Sequence, residues 1–220
     1  MKINIILTTI LSLCIVSGLF AQSYIGVSAG LTSGKFSGDS PPDFKYASKL
    51  AYTAGIVYDF QLKEDVYLSL ATAYVNGGSK LQYPKEVDEV LVYEDSIFVD
   101  FHMISVPLMM KLISDNKRFQ FTGGLEMMLP FKLIADDTEK EVDLINHVNK
   151  VGLNMLFGIG YRIPINRNFL VINLNYSQGL TNIANNLDDP DSLFPRIRFT
   201  SFKLTAAWLF AVGKAKSSEN

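Results

Sequence analysis

Across 220 residues the charge is nearly balanced, at −2 with neutral histidines, no basic block occurs, and only one cysteine is present. These values exclude nucleic acid as a partner and a disulfide-stapled scaffold, and the length suits one domain. At the start, Lys2 is followed by the apolar run Ile3 to Phe20 and then Ala21-Gln22, which predicts a secretory signal over residues 1–21 with cleavage after Ala21. An uncleaved anchor helix fits less well, because Thr8, Thr9, Ser12, Ser17 and Gly18 interrupt the span and no basic cluster follows it. Cys14 does not make a lipid-attachment site, since bulky Leu13 stands where a small residue is wanted. Removing the signal removes that cysteine and Lys2, so the mature domain, 22–220, keeps 19 basic and 22 acidic residues, a net charge of −3. It enters an oxidising space with no disulfide to close it.

The mature chain reads as strands throughout. Ile25, Val27, Ala29 and Leu31 alternate with Tyr24, Gly26, Ser28 and Gly30, a first strand with small inner residues. Thr32 to Lys49, with Gly34, Gly38, Pro41 and Pro42, predicts a long loop. Alternation returns in Leu50, Tyr52, Ala54, Ile56, Tyr58 and Phe60, turns at Gln61 to Asp65, and continues in Val66, Leu68, Leu70, Thr72 and Tyr74. Asn76 to Ser96 predicts a second long loop with short strand extensions. In the fourth strand Val99, Phe101 and Met103 have the opposite parity to Ile104, Val106, Leu108 and Met110. Either a bulge near His102 and Met103 reconciles them, or the part before His102 stands above a membrane.

After the tight turn Ser114 to Lys117, Phe119, Phe121, Gly123, Leu125, Met127 and Leu129 form the fifth strand. Pro130 to Lys150 predicts a third long connection, with a short surface helix in Asp136 to Val148. The hairpin Leu153 to Ile183 is the clearest unit. Leu153, Met155, Phe157, Ile159, Tyr161 and Ile163 share one face, and Leu170, Ile172, Leu174 and Tyr176 share it after the turn Pro164 to Asn168. A last loop, Thr181 to Arg198, leads to Phe202, Leu204, Ala206, Trp208 and Phe210.

Eight strands result, joined by long connections after the odd-numbered strands and short ones after the even-numbered ones. Short periplasmic turns and long outer loops give an outer-membrane barrel this asymmetry. A soluble lipocalin-like barrel has the same strand number but turns its apolar side chains inward around a ligand. Here the minority face carries glycine, asparagine, glutamate, lysine and arginine, as in Gly158, Gly160 and Arg162, which suits a polar lumen and a lipid-facing exterior. The expected fold is all-β: an eight-stranded antiparallel up-and-down transmembrane β-barrel in the outer membrane. Outward Phe60, Phe119, Tyr161, Trp208 and Phe210 are expected at the periplasmic interface, and Tyr52, Tyr74 and Tyr176 at the outer one.

GVSAGL (Gly26 to Leu31), ISVPLMMK (Ile104 to Lys111), FTGGLEMML (Phe121 to Leu129), FGIGYRI (Phe157 to Ile163) and NYSQGLTNI (Asn175 to Ile183) together resemble the PorT-like outer-membrane β-barrel proteins of Gram-negative bacteria. The resemblance spans nearly the whole mature chain. It implies an outer-membrane barrel and, from the family's namesake, an accessory part in an apparatus that exports proteins. One departure is the tail Ala211 to Asn220 after Phe210, where such barrels end on an aromatic residue.

Material for chemistry is sparse. His102 and Ser105 are the pair a lipid-modifying barrel enzyme would use, but three positions apart in a strand they point to opposite faces unless the bulge intervenes. The other histidine, His147, lies in a loop. Asp188, Asp189 and Asp191 offer calcium-type ligands, weighed against an ordinary solvated acidic loop. GIGYR after Phe157 lies inside a strand and opens no helix, so it is no dinucleotide site. No catalytic residues, metal or cofactor are therefore expected. What remains is a luminal charge network: Asp59, Lys111 and Arg162 near the periplasmic end, and Glu126 with Lys203 toward the outer half. Such charges must pair inside a narrow barrel. The expected function is a non-enzymatic barrel in outer-membrane lipid that binds other envelope or secretion-complex proteins. The alternatives are a small-solute channel and a lipid-modifying enzyme.

Overall fold

Period-two alternation gives each strand one apolar face, and a lipid environment leaves no backbone polar group free, so the strands must close on themselves. The computed structural model describes residues 23–38, 44–87, 90–137, 140–185 and 196–212. Its strands are β1 (Ser23–Gly38), β2 (Lys45–Lys63), β3 (Val66–Val87), β4 (Val90–Ile113), β5 (Phe119–Asp137), β6 (Lys140–Asp143), β7 (Gly152–Ile165), β8 (Asn168–Gly179) and β9 (Ile197–Val212). Eight long strands pair antiparallel in a ring, β1-β2-β3-β4-β5-β7-β8-β9, and β9 returns to β1 along Ser23↔Val212 through Gly38↔Ile197. Among the described residues the short β6 pairs with the outer end of β5 and with no other strand.

The short turns lie at one end. Glu64 and Asp65 join β2 to β3, Ser114 to Arg118 join β4 to β5, and Asn166 and Arg167 join β7 to β8. Asn166 has φ 56°, the left-handed backbone that asparagine accepts at modest cost in a two-residue hairpin. In the Ser114 turn the Asn116 carboxamide oxygen accepts from Ser114 Oγ (2.6 Å) and from the Arg118 N–H (3.0 Å).

Facing follows the expected parity. Ile25, Val27, Ile56, Leu108, Phe157 and Leu204 point outward and are exposed on the isolated chain, while Thr53, Asp59, Ser105, Lys111, Glu126 and Lys203 are buried inside. The outward aromatic residues pair on the surface, Phe119 with Tyr161 at 5.2 Å between ring centroids and Tyr52 with Tyr74 at 5.8 Å. Gly158 and Gly160 sit opposite Asn175 and Asn173 on the inner face. A β-carbon at either glycine would collide with those carboxamides, so the glycines make the room that the lumen's asparagines occupy.

Two expectations require correction. The stretches 32–49, 76–96 and 130–150 are mostly strand, not loop: β3 and β4 run for 22 and 24 residues, where crossing a membrane takes about 9 to 11. The surface helix expected in Asp136 to Val148 is absent among the described residues of that segment. That segment instead forms β6 and a single 3-10 turn, Ile145–His147. The physical reason is a reversal of polarity along the strands. Above the lipid-facing part, Phe36, Leu81, Val99, Phe101, Leu133 and Phe199 are buried inside, and Lys35, Lys45, Lys132 and Arg198 are exposed outside. A template of apolar residues outward therefore loses the strand where the surroundings change from lipid to water.

The parity change in β4 has the same origin. Val99, Phe101 and Met103 face inward together with Ser105, in one unbroken strand. A bulge does occur at this level, between the pairs His102↔Lys132 and Met103↔Pro130, but its extra residue is Phe131 of the facing strand, which it turns outward.

Leu174 and Leu204 are directly paired on the exterior of β8 and β9. Arginine at either position is expected to cost about 2 to 4 kcal/mol and to reduce insertion. Arginine at exposed Asn185 should be tolerated. Heat-modifiable gel mobility and denaturant unfolding from vesicles measure both, and equal tolerance at Leu174 and Asn185 would contradict a lipid-facing exterior.

Candidate functional site

The interior is built in layers. At the periplasmic end Arg162 of β7 is buried, with its guanidinium carbon 4.0 Å from the centre of the Phe169 ring, 5.5 Å from Tyr67 and 5.7 Å from Tyr24. Three rings on three other strands thus hold one cation, an arrangement that favours guanidinium because it stacks and is weakly hydrated. Next, Lys111 Nζ on β4 reaches both oxygens of Asp59 on β2, at 2.8 and 2.9 Å, passing over β3. Gln120 Nε2 donates to Asn173 Oδ1 at 2.6 Å.

Toward the outer half, Glu126 of β5 and Lys203 of β9 form an ion pair that spans β7 and β8. Ser105 Oγ donates to the same carboxylate oxygen as Lys203, and Ser177 Oγ donates to the other oxygen at 2.5 Å. Asn154 Nδ2 in turn donates to Ser177 Oγ at 2.8 Å. The buried carboxylate thus has a charged partner and two hydroxyl donors, the condition under which burying a charge is tolerated. Between these layers lies a cavity of about 90 Å³ whose polar lining includes Thr53, Thr122, Asn175 and Thr205.

The structure thus joins Glu126 to Lys203 and Asp59 to Lys111, and leaves Arg162 among aromatic rings with no carboxylate bridge among the described residues. Ser105, weighed above only as a partner of His102, and Ser177 and Asn154, which residue type alone does not single out, complete the network. Their only signal is inner parity at the depth of Glu126.

The enzyme-type pair does not assemble. Ser105 faces inward onto Glu126, whereas His102 faces outward and shares a 2.7 Å hydrogen bond between its Nδ1 and the Tyr74 hydroxyl. Asp188, Asp189 and Asp191 lie outside the described residues. Among the described residues no three His, Cys, Asp or Glu side chains gather as a metal would require.

A closed ring of eight strands with an apolar exterior and a hydrogen-bonded polar interior defines an integral membrane β-barrel. A family model described as the outer membrane protein beta-barrel domain matches residues 20–185, and the chain belongs to that family. It is an outer-membrane protein. No curated protein matches it in sequence. Among solved structures it is similar to the outer membrane protein OprG from Pseudomonas aeruginosa, at 11% identity and a TM-score of 0.48, covering 88% of this chain and 98% of that one. It is also similar to Ail, the attachment invasion locus protein of Yersinia pestis, at 13% identity and a TM-score of 0.46, covering 86% and 99%. Neisserial surface protein A is similar at 15% identity and a TM-score of 0.44, covering 85% and 95%.

Removing one member of the Glu126 pair, by Glu126→Leu or Lys203→Met, is expected to cost about 3 to 5 kcal/mol, because the survivor stays charged and unpaired. The double variant should cost far less than the sum. Equilibrium unfolding in lipid vesicles gives the coupling, and additive losses would mean the two groups are solvated separately.

Proposed function

We propose that this protein is a closed, non-enzymatic outer-membrane barrel that serves as an accessory, partner-binding component of an envelope or protein-secretion assembly, after export by a cleaved signal over residues 1–21. The observation that carries the reading is a lumen occupied by its own side chains at three levels, Arg162, Lys111 with Asp59, and Lys203 with Glu126. A barrel filled in this way is a structural body and not a conduit. What such a body offers a partner is its outer wall: strands that continue well beyond the span of a membrane, with Lys35, Lys45, Lys132 and Arg198 on the outside. The PorT-like resemblance of the segments Gly26 to Leu31 and Phe121 to Leu129 supports a place beside secretion machinery. The opposite facing of His102 and Ser105 supports the non-enzymatic part.

In planar bilayers the purified protein is expected to show no steady conductance. A photo-crosslinking side chain placed at Asn146 or Lys150, both exposed near the outer rim, should trap a defined envelope protein in native membranes, while one at Leu174 should trap lipid only. Reproducible wild-type conductance would replace this reading with that of a small-solute channel.

A further inference from the structure

Above the Glu126 layer the interior changes character. Phe36, Phe101 and Phe199 meet edge to face, with centroids 5.5 to 6.0 Å apart, and Met103, Met128 and Val75 complete an apolar layer. Beyond it the barrel holds a second cavity, of about 310 Å³, walled by Leu81, Val99, Leu133, Val148, Ile183 and Ile197 among others. Only Tyr46 and His147 bring polar side-chain atoms to its described lining. This is several times the volume of the polar cavity below and falls in the range of small-ligand pockets.

The walls are constructed. Where β7 and β8 stop short, the segments around 144–149 and 182–185 take their place, and their backbone groups are paired with one another and with the strands. The Leu144 N–H donates to Leu133 O (2.9 Å), Asn149 N–H to Ile183 O (2.7 Å), Asn185 N–H to His147 O (2.9 Å) and Ile183 N–H to Ile197 O (2.7 Å). The Asn149 carboxamide adds bonds to Asn182 O (3.0 Å) and Ala184 O (3.1 Å). Connecting segments ordinarily turn polar side chains outward and spend their backbone groups on water. These satisfy their backbones internally and aim Leu144, Val148 and Ile183 into a hollow.

We propose that the outer end of the barrel is a binding site for one aliphatic acyl chain, whose polar head sits at the rim beside exposed His147. The apolar-in, polar-out arrangement above the lipid is that of a small water-soluble barrel holding one apolar ligand. The lining is mainly aliphatic, which suits a flexible chain, and about 310 Å³ accommodates one such chain. The chain comes either from a free fatty acid or from one acyl tail of an outer-leaflet lipid. The proposal is independent of the partner-binding role.

The test uses the whole protein in nanodiscs with decanoate as the probe. Wild type is expected to bind it saturably at one per protein, over the partition measured with empty discs. Val99→Trp and Ala184→Trp, which fill the cavity with apolar volume, should weaken binding by about tenfold or more, and Leu174→Trp on the lipid face should leave it unchanged. Should the filled variants fail to fold, Ala184→Cys serves instead. Decanoate should slow its alkylation about tenfold or more while leaving that of Asn185→Cys, which is exposed, unaffected. Native mass spectrometry of protein taken from its own membranes assigns the source: a fatty-acid mass, or the mass of an intact lipid that Val99→Trp abolishes. Binding that never saturates, equal binding by the filled variants, or an Ala184→Cys thiol indifferent to decanoate overturns the proposal.

Discussion

In hydrocarbon an unpaired peptide group has no water to turn to, and the pairing of Ser23–Gly38 with Ile197–Val212 is the seam that removes the last two open edges of this sheet. Everything else depends on that closure. Eight strands enclose a bore that side chains can fill, so inner residues must be small where strands crowd, as at Gly158 and Gly160, and must find partners across the bore where they are polar. With a single cysteine in the sequence no internal disulfide can form, and the hydrogen-bonded ring provides the closure that covalent links give to small exported proteins.

The same strands solve two opposite solvent problems. In the lower part they face lipid, so leucine, isoleucine and phenylalanine go outside, while Glu126, Lys203, Asp59 and Lys111 go inside, where each is paired. Farther out they face water and the assignment reverses, with Lys35, Lys132 and Arg198 outside and Phe36, Val99 and Leu133 inside. The Phe36, Phe101 and Phe199 rings pack together at the inner end of that outer part.

That reversal also explains what could be read from the residues alone. Strand number, facing and the short turns are local properties: a period of two, a proline, an asparagine at a left-handed position. The depth of Glu126 and of Lys203 follows from counting residues from those turns. The outer extensions are not legible in the same way, because Leu81 and Val99 keep the alternation but invert its meaning, and charged residues around them imitate a loop. Nor is the bulge at His102 assignable from one strand, since its extra residue, Phe131, belongs to the neighbour. The role of Ser105 is hidden for a related reason. A serine on an inner face is ordinary until the carboxylate that it bonds arrives from another strand.

The positions of the buried charges along the chain set an order on assembly. Asp59 and Lys111 lie on β2 and β4, so their pair can form once the first four strands have come together. Glu126 must wait for Lys203, which is on the last strand and 77 residues further along. Until β9 arrives, the intermediate holds open edges at β1 and β8 and, on β5, a carboxylate without its lysine. A half-built barrel is therefore penalised twice, and the step that docks β9 relieves both penalties together. Folding of this chain is in that sense fastened from its C-terminal strand, with the charged lumen completed by the same event that closes the wall.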